Sequence, residues 1–269
     1  MPKFLFFIYI LNKLFKKLSN KRESFQIIDF SFSARIKYSM KIFAIKKRSV
    51  FFVLCAFVLV LSGFIYLLVP SQTFQPLSTK TIVIDAGHGG KDGGAVGKYT
   101  GIEEKELNLV YAKTLKRICE EFDFRVVMTR KDDNGLYSPL AKNKKKSEMQ
   151  KREDIIKKSN PDLLVSIHMN SFPQESCRGA QVFYRQDNEG GRYLAEKIQT
   201  SLHEKIEFAK STAKTGDYYV LNCTNCAGVL IECGFLSNRE EEKILQDKDY
   251  INKFCYQVFC GMLQFFKMV

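Results

Sequence analysis

Four residues of this chain are of the types that metal-assisted hydrolysis needs: His88, Glu104, His168 and Glu232. They stand in the strings Ile84-Asp85-Ala86-Gly87-His88-Gly89-Gly90, Ile102-Glu103-Glu104-Lys105, Ser166-Ile167-His168-Met169-Asn170 and Ile231-Glu232-Cys233-Gly234-Phe235. Two imidazoles and a carboxylate are a ligand set for catalytic zinc, which keeps a fourth position open for water. A second carboxylate near that water can take its proton. The chain has only three histidines, and two of them stand in these strings. The residue types therefore point to a hydrolase with Zn2+ as cofactor.

Each residue also has a plainer reading. Gly87-His88-Gly89-Gly90 could be a phosphate-binding turn after a first strand, but its spacing fits neither GxGxxG nor a P-loop. Glu104, beside Glu103 and Glu106, could be a helix N-terminal charge that satisfies the dipole. His168 could be a satisfied core histidine. Glu232 follows Val229-Leu230-Ile231, and a lone carboxylate in apolar surroundings needs a cation or a raised pKa. Asp85 is either a partner that orients an imidazole or a turn residue. His203, beside Glu204 and Lys205, reads as surface.

The elements that must position these residues alternate. Strands are expected at Thr81–Asp85, Phe124–Thr129, Pro161–His168, Gly179–Tyr184, Tyr218–Asn222 and Gly228–Glu232. Helices are expected at Glu103–Glu121, where Leu107, Val110, Tyr111, Leu115 and Ile118 form a stripe, and at Ser147–Ser159, Gly191–Ile206, Asn238–Leu245 and Tyr250–Phe266. Asp132–Lys146 reads as a loop whose lysine run is a solvated surface. This alternation predicts a single α/β domain over 81–267, a largely parallel twisted sheet flanked by helices. Ligands collect at the carboxyl ends of such strands. His88, His168 and Glu232 each fall at the end of an expected strand, so residues far apart in sequence can meet on one edge.

The charge of +13 suggests nucleic acid until it is located. Residues 1–49 carry 12 Lys/Arg against 2 Asp/Glu, which leaves only +3 for the rest of the chain. The basicity belongs to the leader, and no nucleic-acid partner is expected. Val50–Val69 is uncharged and about 20 residues long, enough to span a bilayer core. With Lys46-Lys47-Arg48 before it, the positive-inside rule places the N-terminus in the cytoplasm and everything after the 70–80 linker outside. A single-pass membrane anchor is thus expected before the catalytic domain, uncleaved because no small-x-small site follows. Met40 opens a complete anchor leader by itself; residues 1–39 are either an upstream start or an amphipathic segment on the inner leaflet.

Of the eight cysteines, Cys119, Cys255 and Cys260 read as small buried apolar residues. Cys223-Thr224-Asn225-Cys226 is a lone CxxC without the second pair that structural zinc would want; a local disulfide is the alternative.

At the quoted residues the chain resembles the zinc-dependent N-acetylmuramoyl-L-alanine amidases, the AmiC-like Amidase_3 family, from about Thr81 to Phe266. The match is carried by Asp85-Ala86-Gly87-His88-Gly89-Gly90, Asp92-Gly93-Gly94-Ala95, Glu104-Lys105, Val127-Met128-Thr129-Arg130, Arg152, Ser166-Ile167-His168-Met169-Asn170 and Leu230-Ile231-Glu232-Cys233-Gly234-Phe235-Leu236-Ser237-Asn238. The resemblance implies that His88, Glu104 and His168 bind zinc and that Glu232 is the catalytic acid/base. Within the family it looks most like the germination-specific spore-cortex enzymes of the CwlD type. That implies a peptidoglycan substrate, cut between the lactyl group of muramic acid and L-alanine, and a polysaccharide deacetylase as functional partner in making muramic δ-lactam. Ala227 departs from the family, which usually has Pro there, and is expected to loosen the turn into the Glu232 strand. Another zinc peptidoglycan hydrolase (a deacetylase or peptidase) and a non-catalytic wall-binding module are the rival readings.

Overall fold

The computed structural model describes residues 50–62 and 80–267, which fall in two separate units divided near Thr73. Residues 50–62 are helical with exposed side chains. Among the described residues no helix is long and apolar enough to cross a membrane. The leader 1–49, residues 63–69 of the expected span and most of the linker lie outside the described residues.

The second unit is built on six strands: β1 (Thr81–Ala86), β2 (Arg125–Met128), β3 (Leu163–Asn170), β4 (Gln181–Tyr184), β5 (Lys214–Thr215) and β6 (Ala227–Phe235), in spatial order β2-β1-β3-β6-β4-β5. The helices are α1 (Glu104–Glu121), α2 (Lys144–Ser159), α3 (Glu189–Lys205), α4 (Tyr219–Asn222), α5 (Arg239–Ile244) and α6 (Lys248–Phe265). The central strands β1, β3 and β6 are apolar runs with both faces covered, as parallel sheets require. Every ladder is parallel except the one joining β4 to β6, so the sheet is mixed rather than uniformly parallel.

Strand parity divides the core. Ile82, Ile84, Leu163, Val165, Val229 and Ile231 face the large layer that α1, α3 and α6 cover. Val83, Leu164 and Leu230 face a smaller cluster with Ile156 of α2 and Val220 and Leu221 of α4. Successive side chains along a strand point to opposite faces. Asp85, Ser166, His168 and Glu232 therefore share the face of the smaller cluster, beyond its apolar rows.

Three expectations need correction. Tyr218–Asn222 is not a strand: Tyr219–Asn222 is one turn of helix, whose Val220 and Leu221 fill the small cluster. A short continuous apolar run cannot by itself tell a strand from a helical turn. Lys214–Thr215 adds an edge strand that no apolar pattern announces. The loop 132–146 stops earlier than expected, because Asn143 caps α2 by accepting from the Lys146 amide at 2.9 Å. The cysteines are free thiols, so Cys223 and Cys226 form no disulfide; Cys119 and Cys255 are buried and Cys260 is half-buried. His203 is exposed as expected. At the turn into β6, Asn188 Nδ2 donates to the Cys226 carbonyl at 2.8 Å just before Ala227.

Candidate metal centre

Three routes bring the ligand-type residues together. β1 ends in Gly87-His88-Gly89-Gly90, where His88 (φ 59°), Gly89 (φ 139°) and Gly90 (φ 57°) are consecutive positive-φ residues. A non-glycine residue there is strained by about 1–3 kcal/mol, and such strain persists only where the surroundings impose it. Glu104 is the first residue of α1, and its carboxylate is nearly inaccessible. His168 lies near the carboxyl end of β3, and the Gly87 amide bonds to the adjacent Ile167 carbonyl at 3.1 Å.

One ligand atom each from His88, Glu104 and His168 lie within 4.8 Å of one another. His168 Nδ1 is 2.9 Å from Glu104 Oε1, and His88 Nε2 is 3.2 Å from Oε2. The rings meet edge to face with centroids 5.0 Å apart. Burial alone would raise the Glu104 carboxyl, but the two imidazoles hold it well below the usual carboxylate range. Burial would likewise lower the His88 imidazole, and Glu104 and Asp92 outweigh it and raise it. Glu104 is aimed by the Ala95 amide on Oε2 (2.9 Å) and by the Met169 amide (3.1 Å) and Asn108 Nδ2 (3.2 Å) on Oε1.

Glu232, in β6, stands directly opposite His168 in the β3 ladder. Its Oε2 is buried with no hydrogen-bond partner among the described residues. Burial, with the nearby Glu104 charge, pushes its carboxyl up to about 7, against the pull of the imidazoles. His88 Nδ1 is also orphaned: Asp92 Oδ1 lies 3.0 Å away but outside hydrogen-bond geometry. A buried polar atom without a partner is costly. Two of them beside a His–Glu–His cluster fit a divalent cation, which the donor set suits.

Sequence reasoning named these four residues but missed what holds them. Asp85 touches neither imidazole. It accepts from Thr129 Oγ1 (2.7 Å), Ser166 Oγ (2.7 Å) and Arg152 Nη1 (2.5 Å). Burial would raise its carboxyl; Arg152 and the two hydroxyls override this and hold it at about 2. Arg152 continues to the carbonyls of Ala86 (2.8 Å) and His88 and to Glu148 (2.8 Å). Arg130 holds the carbonyls of Ala86 (2.9 Å), Gly87 (2.9 Å) and Lys105 (2.7 Å). Two buried guanidinia thus grip every carbonyl of the strained turn from Ala86 to His88. A buried arginine following a strand, as in Val127-Met128-Thr129-Arg130, was the available signal.

Two glycines make room. A Cβ on Gly87 would lie 2.3 Å from His168 Cε1 and Nε2; one on Gly94 (φ 70°) would lie 2.5 Å from Glu104 Oε2. The site opens into a cavity of about 480 Å3, whose floor holds His88, His168, Glu232 and Arg152 and whose rim holds Tyr137, Lys144 and Lys145. The lysine run is exposed, as expected, and its Lys144 and Lys145 also line the cavity.

Residues 82–264 match the family model for N-acetylmuramoyl-L-alanine amidase, Amidase_3. The chain is 36% identical over 196 residues to the germination-specific N-acetylmuramoyl-L-alanine amidase of Bacillus subtilis (strain 168), covering 71% of this chain and 81% of that one. Among solved structures it is similar to the CwlD amidase from Clostridioides difficile in complex with the GerS lipoprotein (TM-score 0.67, 36% identity, 71% of this chain and 100% of that chain). It also resembles the catalytic domain of the amidase CwlV from Bacillus (Paenibacillus) polymyxa var. colistinus (TM-score 0.63, 29% identity, 71% and 99%). The chain belongs to the Amidase_3 family and is an N-acetylmuramoyl-L-alanine amidase of the CwlD type.

Proposed function

We propose that this peptidoglycan amidase cuts the bond between the lactyl group of muramic acid and L-alanine, with zinc held by His88, Glu104 and His168 and with Glu232 as acid/base. The observation that carries this is the orphaned Oε2 of Glu232 on the rung beside His168, a carboxyl that burial raises to about 7 before any metal is bound. A general base works best when its pKa lies near the working pH. Zinc, when bound, supplies Lewis acidity toward a carbonyl and makes water acidic. The chain's own residues do the rest. Glu232 takes a proton from the attacking water and hands it to the leaving amine. Glu104 and Asp92 set the electrostatic surroundings of the His88 ring. Arg130 and Arg152 fix the backbone that carries it.

The biological setting we propose is spore-cortex maturation, with peptide removal preceding muramic δ-lactam formation. It is supported by similarity to the germination-specific amidase of B. subtilis. The uncharged run 50–69 supports single-pass anchoring in the cell membrane with the catalytic unit outside. The CwlD amidase of C. difficile was solved with a lipoprotein, which supports a protein partner of that class ahead of a deacetylase.

The test is digestion of purified peptidoglycan by the zinc-loaded chain, with products resolved by mass spectrometry. Free stem peptides beginning at L-alanine, abolished by chelation, are expected. Acetate release or cuts within the peptide would overturn the bond assignment.

A further inference from the structure

The rim of the cavity carries Lys91, just after the strained turn, and Lys144 and Lys145, which open α2. All three are exposed, and none has a carboxylate within ion-pair distance among the described residues. Many other surface cations of this domain do: Lys80, Lys98, Lys116, Arg117, Lys157 and Arg192 each sit on an acid. Of the four acids that line the cavity, three are already engaged, and Glu232 is buried without a partner. Asp85 and Glu148 are both held by Arg152, and Asp92 lies against His88. The cavity mouth thus keeps three exposed lysines, none in an ion pair among the described residues, above a floor whose one unpartnered acid is Glu232.

The placement of Lys144 and Lys145 runs against helix electrostatics. A helix N-terminus favours acids by about 0.3–1 kcal/mol each. The first turns of α1, α3, α5 and α6 carry them, whereas that of α2 carries none and begins with three lysines. Local rules are broken where function demands it. Nor is this rim loosely attached. The Gly90 amide donates to Asp133 O at 2.7 Å, and Lys105 bonds Gly90 O (2.9 Å) and Asp133 (3.2 Å), so the segment leading to α2 is docked on the His88 turn. Lys144 lies over the Tyr137 ring at 5.2 Å.

We propose that Lys91, Lys144 and Lys145 receive the free carboxylates of the stem peptide and so fix which way the substrate lies across the cavity. The inference rests on the amidase reading and adds the substrate's polarity to it. On the glycan side of the scissile amide, the lactyl ether and N-acetylated sugars carry no charge. On the peptide side, γ-linked D-glutamate leaves its α-carboxylate free one residue beyond L-alanine. Charge alone therefore assigns the lysine rim to the peptide and the opposite side of the cavity to the glycan.

The experiment compares two peptide probes, L-alanyl-γ-D-glutamyl-lysine and the same peptide with the D-glutamate α-carboxylate converted to carboxamide. Their binding to the full-length chain is measured by calorimetry, with and without zinc. The KM values of the matching muramoyl-peptide substrates are measured beside them. The wild-type chain is expected to prefer the carboxylate probe by roughly three- to thirty-fold at low salt. That preference should shrink as salt rises. In Lys144→Gln/Lys145→Gln, and further with Lys91→Gln, the preference should approach one. Thermal unfolding of these variants should be unchanged or raised, since like charges leave a helix N-terminus. Equal binding of the two probes by the wild-type chain, or variants that weaken both probes alike, overturns the proposal. Failure to release peptide from either substrate would instead sink the amidase reading, and the binding ratio would still judge this one.

Discussion

His168 and Glu232 occupy one rung of the β3–β6 ladder, and the ladder becomes irregular immediately after it, between His168 and Asn170. A ligand-type imidazole and an orphaned carboxylate are thus placed side by side by sheet register alone. Glu232→Gln preserves the shape of this rung and removes the base. Metal stoichiometry should stay at the wild-type value while turnover falls at least about 100-fold. Turnover within tenfold of wild type would remove Glu232 from the proton-transfer role.

The same carboxyl makes a prediction for the metal-free protein. Its folded pKa of about 7 lies above the ordinary value of 4.5. The native state therefore binds the proton more tightly than the unfolded chain does between those limits. Stability from this group is present below about pH 4.5 and is lost as pH rises to about 7, by roughly 3 kcal/mol. Urea unfolding of metal-free wild type and Glu232→Gln at pH 5 and pH 8 measures it. The variant should gain on wild type at pH 8; parallel changes in the two proteins would contradict the buried, unpaired carboxylate.

Asp85 has the opposite sign. Its folded pKa, held at about 2, lies below the ordinary 3.8, so its contribution is complete above about pH 4 and is lost as pH falls toward 2. The amount is about 2 kcal/mol. Asp85→Ala strands Arg152 as a buried charge with only Glu148 as a carboxylate partner, and should cost about 3–5 kcal/mol in denaturant unfolding. A loss under 1 kcal/mol would show that the Arg152 cluster does not organise the turn.

Gly87→Ala should separate folding from metal binding. The new Cβ would lie 2.3 Å from the His168 ring, so that ring must turn away. Zinc affinity, measured by competition with a chromophoric chelator, is expected to fall by more than tenfold. Gly190→Ala in α3 meets only an ordinary 3.4 Å contact and serves as the control with unchanged affinity. Equal affinities in the two variants would rule out His168 as a ligand.

Much of this was legible in the sequence, because strand-end histidines and an acid after Val229-Leu230-Ile231 are local patterns. The apolar runs located β1, β3 and β6, and the Leu107–Ile118 stripe located α1. What escaped were properties of pairs far apart in the chain. That Asp85 would meet Arg152 rather than an imidazole depends on how α2 packs over the sheet. That Lys144 and Lys145 would rim a cavity depends on the docking of Gly90 against Asp133. The one-turn helix at Tyr219–Asn222 has the composition of a strand and takes its form from the small cluster that Val220 and Leu221 fill. The antiparallel junction of β4 with β6 likewise leaves no mark in either strand's own residues.

The turn from Ala86 to His88 is held by Arg130 and Arg152 through bonds that involve none of the ligand side-chain atoms. The positive-φ backbone of His88 is therefore held by the protein interior. A metal bound by His88 would therefore ask little rearrangement of this backbone, and its loss and return would not require the turn to refold.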